Sequence, residues 1–456
     1  MKLRNALLVA YRFPPLGGSG VQRAVKLARY LPAEGWRVHV LTTGHTHDPQ
    51  LDANLGDELG NDVVVHRILG YEPGAIAKKA CRWLDRRIGS SSFATKWEDR
   101  LYWRLDRWWN KLQMPETEML WVASAVKAAR RIIRRHQIQV VITTSPPHST
   151  QWVGRALQRR LSIPWIADLR DPVLDNFAYD PATRRTDRYW RRMERTTVNQ
   201  ASRIVVTCPE LADCLQKRYT AIDASRFSTI TNGYDPADRA QGSNLISRSD
   251  GRFVLGYVGS FYRAQTIAPL LEAVRRLTAA RPDLAARFEL RVVGSVSAQQ
   301  RKFLRDTDDA FLQLLGYLGH DHAVNEMAAA DALFLMTPVN KGGRFCIPSK
   351  TFEYLAFGRH IIALTHRGTE LTRTLAEAGN VTLVEHGDTV RLVQALEACY
   401  ESWLAGKLDQ PRNQQVVGRY RRDRLAADYA RILNECVCST PDVNLVPTAG
   451  TVWEAA

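Results

Sequence analysis

Residues 6–42 read ALLVAYRFPPLGGSGVQRAVKLARYLPAEGWRVHVLT and contain one complete strand–loop–helix–strand unit. The first six of these residues form a short apolar run, which is typical of a buried strand, and a loop rich in Pro and Gly follows. From Val21 onwards, apolar residues recur at helical spacing until Gly35. A second apolar run begins at Val38. Such a unit predicts parallel strands joined by a helix, the building block of an α/β fold.

The same alternation of apolar runs and helical spacing returns along the chain. Further strands are predicted at 63–67, 140–144, 165–167, 204–207, 253–258, 290–293, 332–336, 360–364 and 381–384. A polar stretch at 238–251 separates two series of strands, so the pattern predicts two domains. We assign 1–235 to an N-terminal domain and 236–410 to a C-terminal domain, and we expect 439–456 to be a flexible tail.

The expected fold class is therefore α/β, with two doubly wound, Rossmann-like domains facing a cleft. In open parallel sheets, ligands bind beyond the carboxyl ends of the strands. Residues that directly follow predicted strands are thus the first candidates for a functional site.

The composition is that of a globular protein, with 456 residues of which 45% are hydrophobic and 24% are charged. Collagen-like, fully disordered and disulfide-scaffold classes are excluded. The seven cysteines are scattered, so we expect them to be reduced and the protein to be cytoplasmic. The N-terminus has no secretory signal pattern and no apolar run approaches 18 residues, so no transmembrane helix is expected.

The net charge of +16 is concentrated in one part of the chain. Residues 78–135 hold fifteen Lys or Arg against six Asp or Glu, together with six of the twelve Trp, inside an insertion expected at about 72–135. Basic residues interleaved with Trp suit an anionic membrane surface. The same composition is compatible with nucleic-acid binding, or with a solvated helical face whose Trp side chains turn to the core.

The loop at 13–20 supplies the first candidate site. The candidate residues are Gly17, Gly18, Ser19 and Gly20. A Gly-rich loop that leads into a helix exposes backbone N–H groups and the positive end of the helix, and both attract phosphate. The dehydrogenase pattern fails because Arg23 stands at the third glycine position, and no Gly-Lys-Ser/Thr follows for a Walker A loop. A plain turn is the alternative.

Two further candidate groups follow predicted strands. Ser145-Pro-Pro-His-Ser149 places His148 at the carboxyl edge of the sheet, where an imidazole can hydrogen-bond a sugar hydroxyl or take a proton. A structural histidine is the alternative. The second group, Asp168, Arg170 and Asp171, packs three charges into four residues, and a local salt bridge or turn cap is its alternative interpretation.

Residues 342–354, GGRFCIPSKTFEY, form a fourth candidate site. Ser349 is expected to cap a helix whose free N–H groups, together with Lys350, can hold a diphosphate. Glu353 lies one turn further on and can accept hydrogen bonds from ribose hydroxyls, whereas a capping-box Glu would stand at Phe352. An ordinary structural helix start is the alternative.

Residues 256–263, GYVGSFYR, run from a strand end into a turn. Gly259 allows a close approach of the backbone to a ligand, and Arg263 offers positive charge to a phosphate leaving group. An ordinary turn is again the alternative.

Taken in order along 1–435, these blocks resemble glycosyltransferase family 4, whose members are retaining transferases of the GT-B fold. The blocks are Phe13-Pro-Pro-Leu-Gly-Gly18, Ser145-Pro-Pro-His-Ser149, Asp168-Leu-Arg-Asp-Pro172, Asn232-Gly-Tyr-Asp235 and Pro348-Ser-Lys-Thr-Phe-Glu-Tyr-Leu-Ala356. The first three are similar to members that build bacterial surface polysaccharides. The fourth resembles the family's domain-crossover motif and the fifth its donor-site helix.

The resemblance implies a reaction and its partners. A nucleotide-sugar, with a UDP-sugar favoured, would bind mainly to the C-terminal domain, and a glycan or lipid-linked acceptor would enter from the N-terminal domain. The sugar would move with retention of configuration, without an obligatory metal or a cofactor. Family members usually end in a helix that crosses back to the first domain, which we place at 411–438.

Residue roles carried over from the resemblance cover both domains. In the second domain, Glu353 would bind the ribose, and the amides of Ser349, Lys350 and Thr351 would bind the diphosphate or sugar. In the first domain, His148 would lie near the reacting sugar, and the loop from Gly17 to Gly20 would close over the diphosphate or acceptor. Asp168, Arg170 and Asp171 would lie on the acceptor side. Stabilisation of the leaving group by fixed positive charges of the protein would supply much of the rate.

The sequence departs from the family pattern at three positions. Phe345 stands where many members have the first Glu of Glu-x7-Glu, and Ser260 and Gln265 stand near the usual Arg and Lys. A non-catalytic homologue acting as a membrane-associated assembly partner is therefore one alternative function, and a GT-B nucleotide-sugar epimerase is another. A nucleic-acid-binding protein is the least favoured. The leading interpretation is a cytoplasmic glycosyltransferase, peripheral to the inner face of the membrane.

Overall fold

The structure of the chain, a computed structural model, describes residues 3–44, 51–52, 54–69, 116–181, 183–238, 251–259, 261, 266–295 and 309–438. The insertion predicted at about 72–135 is described only from residue 116 onwards. Arg263 and the predicted tail at 439–456 lie outside the described residues.

The first sheet has seven parallel strands in the described part of the chain. They are β1 (Arg4–Val9), β2 (Trp36–Thr43), β3 (Val63–Ile68), β4 (Val140–Ser145), β5 (Trp165–Leu169), β6 (Arg203–Val206) and β7 (Phe227–Thr229). Their spatial order is β3-β2-β1-β4-β5-β6-β7. The order reverses between β1 and β4, which is where an open α/β sheet forms a ligand crevice at its carboxyl edge.

Helices cover both faces of this sheet because its strands are apolar on both sides. The helices are α1 (Ser19–Tyr30), α2 (Val122–His136), α3 (Thr150–Leu161), α4 (Arg184–Gln200) and α5 (Pro209–Arg218). Leu7 of β1 packs towards α2 and α3, whereas Leu8 packs towards α1. Trp121, the one described Trp of the basic segment, is buried and its ring lies edge-on to Tyr11 at 5.3 Å.

The second sheet has six parallel strands among the described residues, in the order β10-β9-β8-β11-β12-β13. They are β8 (Phe253–Val258), β9 (Phe288–Val293), β10 (Leu312–Gly316), β11 (Ala332–Met336), β12 (His360–Thr365) and β13 (Val381–Glu385). The helices are α6 (Ala268–Ala280), α7 (Pro282–Ala285), α8 (His320–Ala329), α9 (Lys350–Phe357), α10 (Glu370–Ala378), α11 (Thr389–Leu404), α12 (Gln414–Gly418) and α13 (Arg422–Cys438). Short 3-10 helices lie at Leu31–Glu34, Asn54–Gly56, Thr117–Trp121, Ala224–Arg226 and Lys341–Phe345. The predicted class, α/β with two doubly wound sheets, is confirmed.

Two segments connect the domains, and they run side by side. The Tyr234 N–H donates to the Tyr420 carbonyl at 3.0 Å, and the Arg422 N–H donates to the Tyr234 carbonyl at 3.0 Å. A side chain at Gly233 would clash with the Tyr420 carbonyl, so only glycine fits there. Helix α13, which packs on the first sheet, begins at Arg422. The sequence predicts one crossing helix from 411, but the first part of that range holds the separate helix α12, which packs on the second domain.

Candidate functional site

The Gly-rich loop before α1 meets the turn after β5. Arg170 Nη1 donates to the Gly20 carbonyl at 2.6 Å, and a Cβ at Gly20 would lie 2.7 Å from the same nitrogen. Gly18 has a φ of +96° and caps α1, and Ser19 is the first residue of that helix. Glycine is therefore favoured at position 18 by the backbone conformation, whereas a side chain at position 20 would displace the Arg170 guanidinium. The structure thus brings two of the predicted groups into contact.

Asp168 is buried and is the acid of an ion pair inside the first domain. Its carboxylate accepts from Arg23 Nε at 3.1 Å and Nη2 at 2.8 Å, and from Thr144 Oγ1 at 2.8 Å. Arg23 also donates to the carbonyls of Ile230 and Thr231, which lead into the domain connection. This two-point pair fixes α1, β5 and the connecting segment relative to one another. Sequence reasoning named Arg23 only as the residue that breaks a fingerprint.

His148 lies where β4 ends and α3 begins, with its side chain buried. Burial, and to a smaller extent the charge of Arg170, lowers the pKa of His148 to about 4. Its ring is edge-on to Trp190 at 5.8 Å, and among the described residues its Nδ1 has no hydrogen-bond partner. A neutral imidazole with one free nitrogen, next to a fixed cation, can hydrogen-bond a hydroxyl at the carboxyl edge of the sheet.

Glu116 holds this turn in place, and sequence reasoning missed it. Its two carboxylate oxygens accept the backbone N–H groups of His148, at 2.8 Å, and of Ser149, at 2.6 Å. Burial, followed by repulsion from Glu118, raises the pKa of Glu116 to about 7, although both backbone hydrogen bonds oppose the shift. An acid at this point stabilises the N-terminus of α3. Only the fold brings it there, since 32 residues separate it from His148.

On the second domain, Lys350 and Gly259 lie against each other. Lys350 Nζ sits 3.5 Å from the centre of the Tyr257 ring and, within the described part of the chain, is buried without a hydrogen-bond partner. A Cβ at Gly259, whose φ is +141°, would approach that nitrogen to 2.9 Å. Burial lowers the pKa of Lys350 to about 7, even though Cys346 and Glu353 act in the opposite direction. An anion beside this ammonium would supply the missing partner.

The start of α9 offers two further groups. Ser349 occupies the cap position but its side chain makes no capping hydrogen bond. Thr351 is fully buried, and its Oγ1 has no hydrogen-bond partner among the described residues. The Thr351 and Phe352 N–H groups already donate to the carbonyls of Pro348 and Ser349, at 3.0 and 3.2 Å. Lys350 Nζ and the positive end of the helix dipole are therefore the features that favour an anion here.

Glu353 belongs to a charge cluster that joins the domains, which we call the cross-domain cluster. Its members are Lys26, Asp235, Asp238, His320, Glu353 and Arg422. Lys26 Nζ lies 2.8 Å from Asp235, and His320 Nε2 lies 2.9 Å from Asp238. Burial raises the pKa of Glu353 and outweighs the opposite effects of His320 and Arg422. Sequence reasoning named only Glu353 as a site residue, because the other members are far apart along the chain.

The two domains touch beside these groups. Asn340 Nδ2 donates to the Phe177 carbonyl at 2.7 Å, and Cys208 Sγ lies 3.5 Å from the Phe345 carbonyl. Burial, and then the charge of Asp171, raises the pKa of the Cys346 thiol to about 12, so the Asp171 turn lies within electrostatic reach of the loop that precedes Lys350. The Asp171 turn of one domain therefore lies near the loop before Lys350 of the other.

An arginine-rich pocket of about 650 Å³ lies next to the Asp171 turn. Its lining residues are Leu174, Arg188, Arg191, Arg192, Arg195, Arg218 and Tyr219. Arg218 is paired with Asp175 and Glu194, and Arg191 is paired with Asp187. Five arginines against these three acids leave the pocket positively charged, which suits an anionic group.

No helix in the described ranges is both long enough and apolar enough to cross a membrane. Among the described side chains, His39, His66 and His136 lie close enough together to share one metal ion. They belong to the first sheet and its helix α2 and lie away from the cleft.

Comparisons with known proteins agree with this geometry. Residues 18–233 match the family model described as Glycosyl transferase 4-like domain, and this range carries the end of the Gly-rich loop from Gly18, His148 and the Asp168 group. No curated protein matches the sequence significantly.

Solved structures resemble nearly the whole chain. Sucrose-phosphate synthase from Thermosynechococcus elongatus has a TM-score of 0.66 at 16% identity, with 96% of this chain and 100% of that chain covered. Anabaena HepE, solved with UDP-glucose, has a TM-score of 0.59 at 14% identity, covering 94% and 99%. WaaG, a glycosyltransferase involved in lipopolysaccharide biosynthesis, has a TM-score of 0.55 at 15% identity, covering 93% and 95%. The predicted GT-B fold is confirmed.

Proposed function

We propose that the protein is a retaining glycosyltransferase that moves a hexosyl group from a nucleotide-sugar, with a UDP-sugar favoured, to a glycan or lipid-linked acceptor in surface polysaccharide or glycolipid assembly. The observation that carries the proposal is Lys350 Nζ, which is buried beside Gly259 at the start of α9 and lacks a hydrogen-bond partner among the described residues. A buried ammonium of this kind is stabilised by an anion. The diphosphate of a nucleotide-sugar supplies one.

The remaining groups take roles that follow from their positions. The acceptor hydroxyl loses its proton and bonds to the anomeric carbon, while the bond from that carbon to the diphosphate breaks and the proton leaves with the diphosphate or to solvent. Lys350 and the positive end of the α9 dipole stabilise the charge that develops on the leaving group. His148, neutral and with a free Nδ1, orients a sugar hydroxyl, and Glu353 accepts hydrogen bonds from the ribose.

Positive charge on the first domain near the cleft suits an anionic acceptor. The Asp171 turn lies within electrostatic reach of the second domain, and Leu174, three residues further along the chain, lines the arginine-rich pocket. An acceptor that carries a phosphate or diphosphate, such as a lipid-linked sugar, matches that pocket. The same positive charge favours an anionic membrane surface, so we place the enzyme at the inner face of the membrane.

Nucleotide-sugar binding tests the proposal directly. We expect one of UDP-, GDP-, dTDP- and ADP-glucose to raise the melting temperature. At 100 times its dissociation constant, the bound ligand adds about 2.7 kcal/mol to the free energy of unfolding. The Lys350→Ala variant should lose that shift. Lys341→Ala, which removes an exposed lysine from the preceding loop, is the matched control and should keep it. Equal binding by parent and Lys350→Ala would overturn the donor site.

Turnover separates an enzyme from a non-catalytic homologue. With the bound nucleotide-sugar and a lipid extract as acceptor source, we expect release of the nucleoside diphosphate and a product whose anomeric configuration, read by NMR, equals that of the donor. Tight binding with no release under any acceptor condition would instead support the assembly-partner function.

A further inference from the structure

Three histidines from three different elements converge on one face of the first sheet. His39 comes from the middle of β2, His66 from β3, and His136 is the last residue of α2. His39 Nδ1 and His66 Nε2 lie 3.1 Å apart, and the ring centres of His39 and His136 lie 4.3 Å apart. One ring nitrogen from each of the three lies within 4.8 Å of the other two.

We propose that His39, His66 and His136 form a binding site for one divalent transition-metal ion, Zn²⁺ by its chemistry, with a water molecule as the fourth ligand. Zinc binds imidazole nitrogen at about 2.0–2.1 Å, so two ligand nitrogens of a tetrahedral site lie about 3.4 Å apart. The separation of 3.1 Å between His39 Nδ1 and His66 Nε2 lies just below this value, and the 4.8 Å limit for the three nitrogens lies above it.

The charges around the cluster are compatible with a cation. Imidazole binds a metal ion in its neutral form, so the site needs no counter-charge from the protein in order to assemble. Arg37, the basic neighbour on β2, is paired with Asp62 at 2.7 Å.

The end of α2 also favours a positive ion here. His136 is at the C-terminus of this fifteen-residue helix, where the helix dipole is negative, and its carbonyl is held by Asn5 Nδ2 at 2.8 Å. Arg135 is the nearby basic group that opposes the ion. A hydrogen bond between neutral His39 and His66 explains the closeness of those two rings, but it leaves the position of His136 unexplained.

The site lies away from the cleft, so we assign it a structural role. Asn5, which holds His136, is at the amino end of β1, whereas the proposed donor and acceptor groups gather at the carboxyl ends of the strands. A metal here would tie β3 to the end of α2, two elements that are far apart along the chain. Because the ion binds the folded chain and not the unfolded one, it would stabilise the fold by mass action.

The test uses the full chain without a histidine tag. After removal of metals by a chelator, we expect isothermal titration with Zn²⁺ to show one ion per chain and a rise in melting temperature. Co²⁺ in place of Zn²⁺ should give the visible absorption of a tetrahedral site. His66→Gln and His136→Gln should weaken Zn²⁺ binding by more than the 10–100-fold that is typical of lost outer-sphere partners.

His322→Gln is the matched control because it removes an exposed histidine from the other domain. It should bind Zn²⁺ like the parent. Near-ultraviolet circular dichroism confirms that each variant is folded before it is compared. Absence of saturable Zn²⁺ binding in the folded parent overturns the proposal, and so does unchanged binding in both His66→Gln and His136→Gln.

Discussion

The buried titratable residues of the candidate site fall into two groups, those with a hydrogen-bond partner among the described residues and those without one. Asp168 is fully occupied by Arg23 and Thr144, so its charge holds the first domain together. Lys350 Nζ and His148 Nδ1 are buried and have no hydrogen-bond partner among the described residues. A buried polar group without a partner is costly, so the second group is where a ligand gains the most. The sequence motifs contain both kinds and do not separate them.

The Asp168–Arg23 pair yields a prediction about stability. Asp168→Asn keeps the shape of the side chain but leaves the buried Arg23 without its counter-charge. We expect the free energy of unfolding, measured with a chemical denaturant, to fall by about 3–5 kcal/mol. Asp171→Asn is the control, since that side chain is 40% exposed and lies 3.8 Å from Arg170, and it should cost less than about 1 kcal/mol. If Asp168→Asn is as stable as the parent but binds acceptor poorly, Asp168 acts on the acceptor and not on the fold.

Secondary-structure elements were the part of the fold most open to prediction from sequence. Buried strands such as β1 and β8 are continuous apolar runs, and their ends agree with the sequence pattern to within a few residues. The pattern does not predict β7 or β10. β7 has only three residues, and β10 is an edge strand whose side chains are all exposed or half-buried, so neither produces an apolar run.

Contacts between elements could not be predicted in the same way. Lys350 meets Gly259, and Glu116 meets His148, only because strands and helices distant in the chain become neighbours in the fold. A local pattern carries information about local periodicity and strand ends, which is why it located His148, Gly259 and Lys350 separately. Their mutual distances depend on sheet order, and sheet order has no local signal.

The contact between Glu116 and the start of α3 predicts a dependence of stability on pH. With a folded-state pKa near 7, Glu116 holds a proton that the unfolded chain has already released above its ordinary pKa. Unfolding releases that proton, so the free energy of unfolding should fall as pH rises from about 4.5 to about 7. Glu116→Gln cannot titrate and should flatten this part of the profile, measured by thermal or denaturant unfolding. Glu34→Gln, at an exposed site in the same domain, should keep the slope of the parent.

At the scale of the whole molecule, polar contacts and apolar packing both connect the domains, since one buried apolar cluster contains Leu211 of the first domain and Leu371 of the second. Two chain segments cross side by side at Tyr234 and Tyr420, and the cross-domain cluster lies next to them. Burial lowers the pKa of His320, but its hydrogen bond to Asp238 and the charge of that carboxylate outweigh burial and raise it. Polar contacts can exchange with water more readily than packed apolar side chains can, so we expect movement of the domains relative to each other to begin at the polar part of the junction.

Asp52 gives the sharpest test of that expectation. The Asp52 carboxylate, on the first domain, accepts a hydrogen bond from the backbone N–H of His320 at 3.0 Å. His320 is the first residue of α8 in the second domain. An acid at a helix N-terminus contributes about 0.3–1 kcal/mol, and here the contribution acts between domains. Asp52→Ala should therefore increase the radius of gyration measured by small-angle X-ray scattering. Asp62→Ala, which breaks an exposed pair with Arg37 within the first domain, should leave the scattering unchanged. Identical scattering from parent and Asp52→Ala would mean that the chain crossings alone hold the domains in place.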